Sequence, residues 1–450
     1  MKRSSAISTA AYLTGLVYCL VLASVLGSTS LWVDELMQLA GTRSGTFAHV
    51  GELTRAGVGG VPLGWLPQLT AIHLFGYSTV AARIPSALAS VGLCVTVFLI
   101  AKNLSMRYPL LPASLIALLP LQFRYALEGR PYAQGLLLSA VATLIFVKLT
   151  KNDSLLWFLA YSATLILGIY SQPFTCFPAC AHLVWALTIA PKQRRVASFA
   201  AGALLLMALT FLPWYGYAAP LWQQNIQAEG FEFHLTWKSP LMLLRELTGA
   251  GYLGSVIVLP LAVFGFYKGP SDRAMKQLLL LCSIVPVICV LIVDARFNYF
   301  LAIRQMIFVL APLCLLAADG LFALAHFGHR KAAALTALML AAVLIAADIR
   351  WLKKPREDWG LAASAVQNLR KQYSACTLFA PTDSLRYYTF FESDLRDTTC
   401  PPTVAAGQPI VLAISPYITA TDREKTVQLL QRKKIIASQI TGMSTITVFH

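Results

Sequence analysis

Long apolar stretches recur along the chain up to about residue 347. A helix needs about 17 to 25 mostly apolar residues to cross a bilayer. The pattern predicts a mainly α, polytopic membrane protein with about 11 transmembrane helices, in which residues 1–347 form the membrane domain. The eleven stretches lie near residues 9–28, 84–101, 109–123, 132–149, 155–171, 174–190, 196–213, 251–267, 277–293, 305–325 and 332–347.

The stretch 61–80 is apolar but differs from the others. It contains two prolines near its start and also His73, so it predicts a helix lying in the membrane interface. A full span is the alternative, and it would break the alternation of charged connections along the chain. The first stretch also has an alternative, a cleaved signal peptide, because basic residues precede it and small residues follow it.

Basic residues occupy every second connection between the predicted spans. Lys and Arg in short loops are retained on the cytoplasmic side, so the N-terminus is expected inside. An odd number of spans then puts residues 348–450 outside, together with loops 29–83 and 214–250. The expected location is a bacterial plasma (inner) membrane with a periplasmic C-terminal domain. The basic residues in these connections are Lys2, Arg3, Lys102, Arg107, Lys148, Lys151, Lys192, Arg194, Arg195, Lys268, Arg273, Lys276, Arg330 and Lys331.

Residues 348–450 lack long apolar runs. Short β-type stretches at 376–380, 410–414 and 445–449 are accompanied by helical patterns at 359–370 and 422–431. Strands and helices in alternation are typical of an α/β unit. The sequence therefore predicts a small external α/β domain after the last span.

Composition and charge limit the kinds of molecule that this chain is expected to bind. Only 12% of the residues are charged, against about a quarter in soluble domains. The net charge of +16 is spread over loops and forms no patch, which suits anionic lipid headgroups better than nucleic acid. No P-loop, dinucleotide-binding glycine motif or zinc-type cysteine pair is present, so no cofactor is expected. His182, inside a predicted span, is expected to be a hydrogen-bonded core residue rather than a metal ligand.

Two of the nine cysteines differ from the rest. Seven lie in predicted spans, where a thiol behaves as a small apolar side chain. Cys376 and Cys400 both lie in the predicted external domain, where an oxidising compartment permits a disulfide. We expect that disulfide, and two free thiols are the alternative because sequence does not fix the geometry.

An acidic pair follows the first span directly, in the stretch LWVDELMQL. Asp34 and Glu35 are neighbours, so on a helix they point about 100° apart, and one can face a cavity while the other pairs or caps. A favourable charge at a helix N-terminus is the structural alternative. The pair is a candidate general base with a supporting carboxylate.

Arginines gather at the predicted external ends of the spans. In the stretch RYALEGRPY, Glu128, Arg130 and Tyr132 lie between the third and fourth spans. Ionisable groups this close to the apolar region tend to line polar cavities, although snorkelling to the interface is the alternative. With the acidic pair they predict an anion site and a nearby base. The other arginines at this level are Arg83, Arg296 and Arg304.

These motifs resemble the GT-C superfamily of polyprenyl-phosphate-dependent glycosyltransferases. The likeness is to family 39, which includes the protein O-mannosyltransferases and the aminoarabinose transferase of lipid A. It covers about the first 360 residues in order and spacing. A lysine that precedes the interfacial helix in the aminoarabinose transferases is absent, and Val61 stands there. The resembling residues are Trp32, Asp34, Glu35, Pro62, Leu63, Arg83, Pro85, Ser86, Glu128, Arg130, Pro131, Tyr132, Asp358 and Trp359.

The resemblance implies transfer of a sugar from a polyprenyl-phosphate donor to an acceptor hydroxyl on the outer face, with inversion and without a metal. Asp34 is the expected base, and Glu35 is expected to orient the acceptor or hold an arginine. Arg130 and Arg304, with Arg83 and Arg296 behind them, are expected to meet the charge of the leaving phosphate. Glu128 and Tyr132 are expected to position donor or acceptor. The acceptor, a lipid, glycan or protein hydroxyl, stays open.

Three other functions stay open at this point. A flippase or transporter of lipid-linked sugars would carry charges at mid-span, often in repeated halves. An O-antigen ligase or polymerase would carry its large external loop late in the chain. A membrane scaffold without enzymatic activity is the last alternative. Substituting Asp34 distinguishes them, because only the first hypothesis places catalysis there.

Overall fold

The computed structural model describes residues 2–39, 49–55, 57–189, 194–228, 230, 232–354, 359–380, 409–414, 434–441 and 444–449. The chain divides into two compact units. Unit 1 comprises Met1–Ser24, Val50–Pro67 and Arg83–Trp351. Unit 2 comprises Val25–His49, Gln68–Ala82 and Leu352–His450.

Helices make up most of the described chain. In order they are α1 (Lys2–Val25), α2 (Val33–Leu39), α3 (Val50–Arg55), α4 (Pro62–Phe75), α5 (Thr79–Asn103), α6 (Leu110–Leu118), α7 (Pro120–Ala126), α8 (Tyr132–Lys151), α9 (Leu155–Ser171), α10 (Cys176–Thr188), α11 (Arg194–Ala228), α12 (Ser239–Glu246), α13 (Gly251–Lys268), α14 (Arg273–Phe297), α15 (Leu310–His326), α16 (Arg330–Lys353) and α17 (Trp359–Tyr373). Short 3₁₀ turns lie at Pro173–Thr175 and Ile303–Val309.

The predicted spans all fall on helices, and the chain is a multi-pass membrane protein. Among the described residues, 7 helices are long and apolar enough to cross a bilayer, and Tyr12–Val25 and Leu155–Ser171 are shorter apolar helices. The stretch 109–123 is divided into α6 and α7 at Leu119, whose ψ of 117° is extended. Pro120 causes this break, because proline excludes its predecessor from the helical region. The stretch 174–190 begins as a 3₁₀ turn at Pro173.

Helix α11 is longer than the apolar stretch predicted near residues 196–213. The apolar pattern ends near residue 213, yet the helix continues to Ala228 through Pro220. The indole N–H of Trp214 donates to the carbonyl of Gly60 at 3.2 Å. Aromatic rings with one polar edge are favoured at the membrane interface, so Trp214 suits the end of the apolar run, and the external loop 214–250 stays a prediction.

Helix α15 lies at the centre of unit 1, and its residues from Leu310 to Leu321 are buried. It crosses α13 at two glycines. A methyl group on Gly265 would lie 1.9 Å from the carbonyl oxygen of Leu316, and one on Gly320 would lie 2.0 Å from that of Leu261. Small residues at such crossings let two membrane helices approach closely.

Unit 2 contains a four-stranded sheet within the described residues. Its strands are β1 (Cys376–Ala380), β2 (Ile410–Ile414), β3 (Ile435–Thr441) and β4 (Ser444–Phe449), in the order β1-β2-β4-β3. β1 is parallel to β2, and β4 is antiparallel to both β2 and β3.

The core of unit 2 joins the sheet to distant segments of the chain. Buried residues of α17, β2 and β4 form one cluster with Leu36 and Leu39 of α2, with Leu31 just before α2 and with Ile72 of α4. The first external loop therefore contributes to the core of the C-terminal unit.

The predicted strands and the helix at 359–370 are confirmed. Strand β3 is missing from the prediction, because Ile435 and Ile440 are exposed on this edge strand and obscure the alternation. The predicted helix 422–431, Asp358 and Cys400 lie outside the described residues. The Cys376–Cys400 disulfide stays a prediction.

Candidate functional site

The acidic pair occupies the first turn of α2 in unit 2. Asp34 is half-buried, whereas Glu35 is fully buried. A carboxylate oxygen of Glu35 accepts the backbone N–H of Trp32 at 3.1 Å, which satisfies a donor that the helix start leaves without a helical partner. Glu35 thus fixes the turn, and Asp34 is the more accessible of the two carboxylates.

Buried amides hold α2 in place within unit 2. The side-chain amide of Gln38 donates to the side-chain oxygen of Gln68. Gln68 in turn donates to the carbonyl of Ala82 at 3.3 Å. Leu36 and Leu39 pack in the core on the same helix. Since buried polar groups are costly unless hydrogen-bonded, this network fixes the orientation of α2 and hence of Asp34.

Arg130 lies at the start of α8 in unit 1. Its guanidinium lies 5.7 Å from the ring centre of Tyr132. Its backbone carbonyl accepts the hydroxyl of Ser86 at 3.1 Å. Ser86 is one turn along α5 from Arg83, which is fully buried, and residues three apart share a helix face. Arg83, Ser86 and Arg130 therefore belong to one region of unit 1.

Tyr125 links further predicted residues to that region. Its ring lies 4.9 Å from that of Tyr132. Burial raises the pKa of Tyr125 well above its ordinary value, Glu128 and Tyr132 raise it further, and Arg304 lowers it. Such effects require these charges to be near the phenol. Glu128, Tyr132 and Arg304 thus lie near one buried tyrosine.

Arg296 is placed differently from the other predicted arginines. It is exposed in the last turn of α14, and its guanidinium lies 5.8 Å from the ring centre of Phe297. Arg304 is half-buried and lies 5.1 Å over the ring of Phe300. Arg130 and Arg304 are thus half-buried, whereas Arg296 is exposed.

Sequence reasoning missed the contacts of Arg124. The guanidinium donates to the carbonyl of Gly249 at 2.6 Å and lies 5.8 Å over the ring of Trp351. Asp348 is close enough to interact with it electrostatically. These contacts join residues up to 227 positions apart, so no local pattern could reveal them. These contacts of Arg124 hold α7 in position, and Tyr125 is part of the same helix.

His182 is a packed core residue, as predicted. Its two ring nitrogens hydrogen-bond to Tyr161 at 2.8 Å and to Thr143 at 3.2 Å, and the ring stacks on Phe146 at 4.5 Å. In the part of the chain that the structure describes, no group of three or more His, Cys, Asp or Glu side chains is suited to hold a metal ion.

The chain was compared with known proteins. Residues 62–217 match the family model described as "Dolichyl-phosphate-mannose-protein mannosyltransferase". ArnT from Cupriavidus metallidurans in the apo state superposes with a TM-score of 0.65 at 12% identity, over 99% of this chain and 98% of ArnT. This chain has an ArnT-like GT-C fold. The same protein bound to undecaprenyl phosphate gives a TM-score of 0.60 at 12% identity, with the same coverage.

These comparisons agree with the resemblance drawn from the motifs, since part of the chain matches the mannosyltransferase family model and the fold is that of ArnT. The family match includes Arg83, Glu128 and Arg130 but ends before Arg304 and begins after Asp34. The search of curated proteins gave no match.

Proposed function

We propose that this chain transfers a sugar from a polyprenyl-phosphate donor to an acceptor hydroxyl on the outer face of the membrane. The likeness to ArnT over 99% of the chain, including a form of ArnT with undecaprenyl phosphate bound, carries the proposal. Arg304 near Tyr125 and Arg130 near Tyr132 support it, because guanidinium groups bind phosphate oxygens through paired hydrogen bonds.

The proposed reaction is a single displacement with inversion. The acceptor oxygen attacks the anomeric carbon as Asp34 takes its proton. The bond from that carbon to the donor phosphate oxygen breaks, and the electron pair leaves with the lipid phosphate. Arg130 and Arg304 stabilise the charge that develops there, and the buried Arg83 supports the same region. Since guanidinium groups meet this charge, the reaction as proposed needs no metal.

The contacts of Glu35 support a third role besides the two predicted ones. Its carboxylate is buried against the start of α2, so we propose that it positions Asp34 rather than touching the acceptor. Glu128 and Tyr132, beside Tyr125, are proposed to position the donor. The transfer experiment described next is designed to identify the sugar and the acceptor.

The test compares Asp34→Asn with wild type, both purified as full chains in detergent. Each is incubated with a set of radiolabelled polyprenyl-phosphate sugars and a membrane extract as acceptor. We expect transfer by wild type and a loss of about 10² to 10⁴-fold in the variant, the usual contribution of a general base. Glu232→Gln is the matched control, since Glu232 is an exposed acid with a side chain 64% accessible.

Each outcome separates the hypotheses. Equal rates in wild type and Asp34→Asn would move the base elsewhere, which would fit an O-antigen ligase or polymerase. An equal loss in Glu232→Gln would point to a general charge effect. Failure to transfer from any donor, with all proteins monodisperse, would favour a transporter of lipid-linked sugars.

A further inference from the structure

A cavity of about 1020 Å³ lies in unit 1 at the end of the bundle that carries the basic connections. We call it the basal cavity. It opens between the C-terminal ends of α5, α8, α10 and α15 and the start of α14. Its wall brings together Asn103–Ser105, Arg107, Thr150–Lys151, Ile189, Pro270–Asp272 and His326. Five connections that the charge pattern assigns to the cytoplasmic side thus lie together around the basal cavity.

The basal cavity is separate from the region around Arg130. Tyr132 and Lys151 are the two ends of α8, and a helix rises about 1.5 Å per residue, so the two regions are roughly 30 Å apart. A bilayer core has about the same thickness. The basal cavity therefore lies at the level of the headgroups on the opposite side of the membrane.

Two cations in the wall suit an anion. The guanidinium of Arg107 lies 5.6 Å from the ring centre of Phe322 and 5.9 Å from that of Tyr108. Lys151 donates to the carbonyl of Asn103, which leaves the other two N–H groups of its ammonium for a further acceptor. Both cations are exposed, and aromatic rings lie beside Arg107.

Other charges near the basal cavity are already engaged. The carboxylate of Asp272 accepts the backbone N–H of Met275 at 3.1 Å and caps α14. Lys276 is buried, donates to the carbonyl of Gly269 at 2.8 Å and interacts with Asp319. His326 stacks on Phe322 at 5.8 Å. The wall of the basal cavity therefore carries two exposed cations, Arg107 and Lys151, against one carboxylate, Asp272, which leaves an excess of positive charge at the rim.

Apolar side chains make up the inner wall. Trp185 is buried, and its indole N–H donates to the carbonyl of Ala274 at 2.7 Å, which fixes the ring. Phe322, Leu104 and Met275 line the same space. A cationic rim above an apolar wall matches an amphipathic anion better than a small hydrophilic one.

We propose that the basal cavity binds the phosphate headgroup of an anionic phospholipid from the leaflet opposite the glycosyl-transfer region. Arg107 and Lys151 contact the phosphate oxygens, and the upper acyl chains lie against Trp185 and Phe322. The shared chemistry is a phosphate ester, which a soluble phosphate could also supply. This inference does not depend on the proposed transfer reaction.

The test uses the full chain, delipidated in detergent and titrated with phosphatidylglycerol or with phosphatidylcholine of the same chain length. Native mass spectrometry counts the bound lipid, and inorganic phosphate serves as competitor. The test variant is Arg107→Gln with Lys151→Gln. The matched control is Arg330→Gln with Lys331→Gln, which removes two exposed cations outside the cavity wall.

We expect wild type and the control to bind phosphatidylglycerol with similar affinity, and the test variant to bind it about thirtyfold more weakly, given two cations near a headgroup. Arg107→Lys with Lys151→Arg keeps both charges and should retain binding, which separates lost recognition from lost folding. Phosphatidylcholine should bind weakly to all four proteins.

Three results would overturn the proposal. Equal weakening in the test variant and the control would reduce the effect to general surface charge. Phosphatidylcholine binding as tightly as phosphatidylglycerol would exclude selection for an anion. Inorganic phosphate that binds as tightly as phosphatidylglycerol and displaces it at equal concentration would assign the cavity to a soluble phosphate.

Discussion

Gly249 shows how one residue supports the candidate site. It has a φ of +77°, and a methyl group added to it would lie 2.5 Å from the backbone nitrogen of Leu121. That nitrogen donates to the carbonyl of Thr248 at 3.1 Å, and Arg124 donates to the carbonyl of Gly249 itself. Only glycine permits both the left-handed backbone and this close approach. Gly249 thus holds α7, and with it Tyr125, in position.

Gly249→Ala should lower the free energy of unfolding much more than Gly251→Ala does. Gly251 also has a positive φ, of +68°, but faces open space. We expect a loss of about 1 kcal/mol for Gly251→Ala from the backbone alone, and about 3 kcal/mol or more for Gly249→Ala because the backbone of α7 must also move. Thermal unfolding in detergent measures both. Equal losses would contradict the close packing of Gly249 against α7.

At the scale of elements, the crossing of α13 and α15 organises unit 1. The two helices meet at Gly265 and Gly320, and the buried α15 then carries Phe322 to the basal cavity. Association of helices in lipid depends on close packing rather than on a hydrophobic driving force. A side chain added at this crossing would therefore disturb both the core of unit 1 and the wall of the basal cavity.

Gly265→Ala should destabilise unit 1 by about 2 to 4 kcal/mol, because the added methyl group meets backbone atoms that cannot turn aside. Gly216→Ala in α11 is the control, since Gly216 has open space around it and alanine is the better helix former by about 1 kcal/mol. The midpoint of thermal unfolding should fall for the first variant and stay or rise for the second. Two equal shifts would contradict the crossing.

At the scale of the whole molecule, the two ends of the bundle differ in chemistry. One end of unit 1 carries the region around Tyr125, and the other carries the basal cavity with its five basic connections. In unit 2, α2 with the acidic pair packs in the core of the C-terminal sheet. The rule that Lys and Arg stay inside predicts that the basal cavity faces the cytoplasm.

Cysteine labelling tests this orientation. Asn152→Cys, in a basic connection, and Glu232→Cys, between α11 and α12, both stand at exposed positions. A maleimide that cannot cross membranes should label Glu232→Cys in right-side-out vesicles and Asn152→Cys only in inside-out vesicles, each relative to wild type. The reverse pattern would invert the topology and place the acidic pair in the cytoplasm.

The sequence by itself determined the helical membrane class, all eleven helical regions, three of the four described strands and the GT-C resemblance. Apolar length and charge alternation are local signals, and bilayer thickness gives them a direct physical meaning. Local signals also located the acidic pair and the stretch around Arg130. They did not reveal the length of α11, because the helix continues to Ala228, beyond the end of the apolar run.

Only the tertiary structure decided which polar residues share a region. Arg304 near Tyr125, Arg124 between Gly249 and Trp351, and Arg107 beside Phe322 all depend on contacts between distant segments. It also distinguished the buried Glu35 from the half-buried Asp34 and the exposed Arg296 from Arg304. Burial and pairing follow from the packing of helices that are far apart in the chain, and no periodicity in the sequence encodes them.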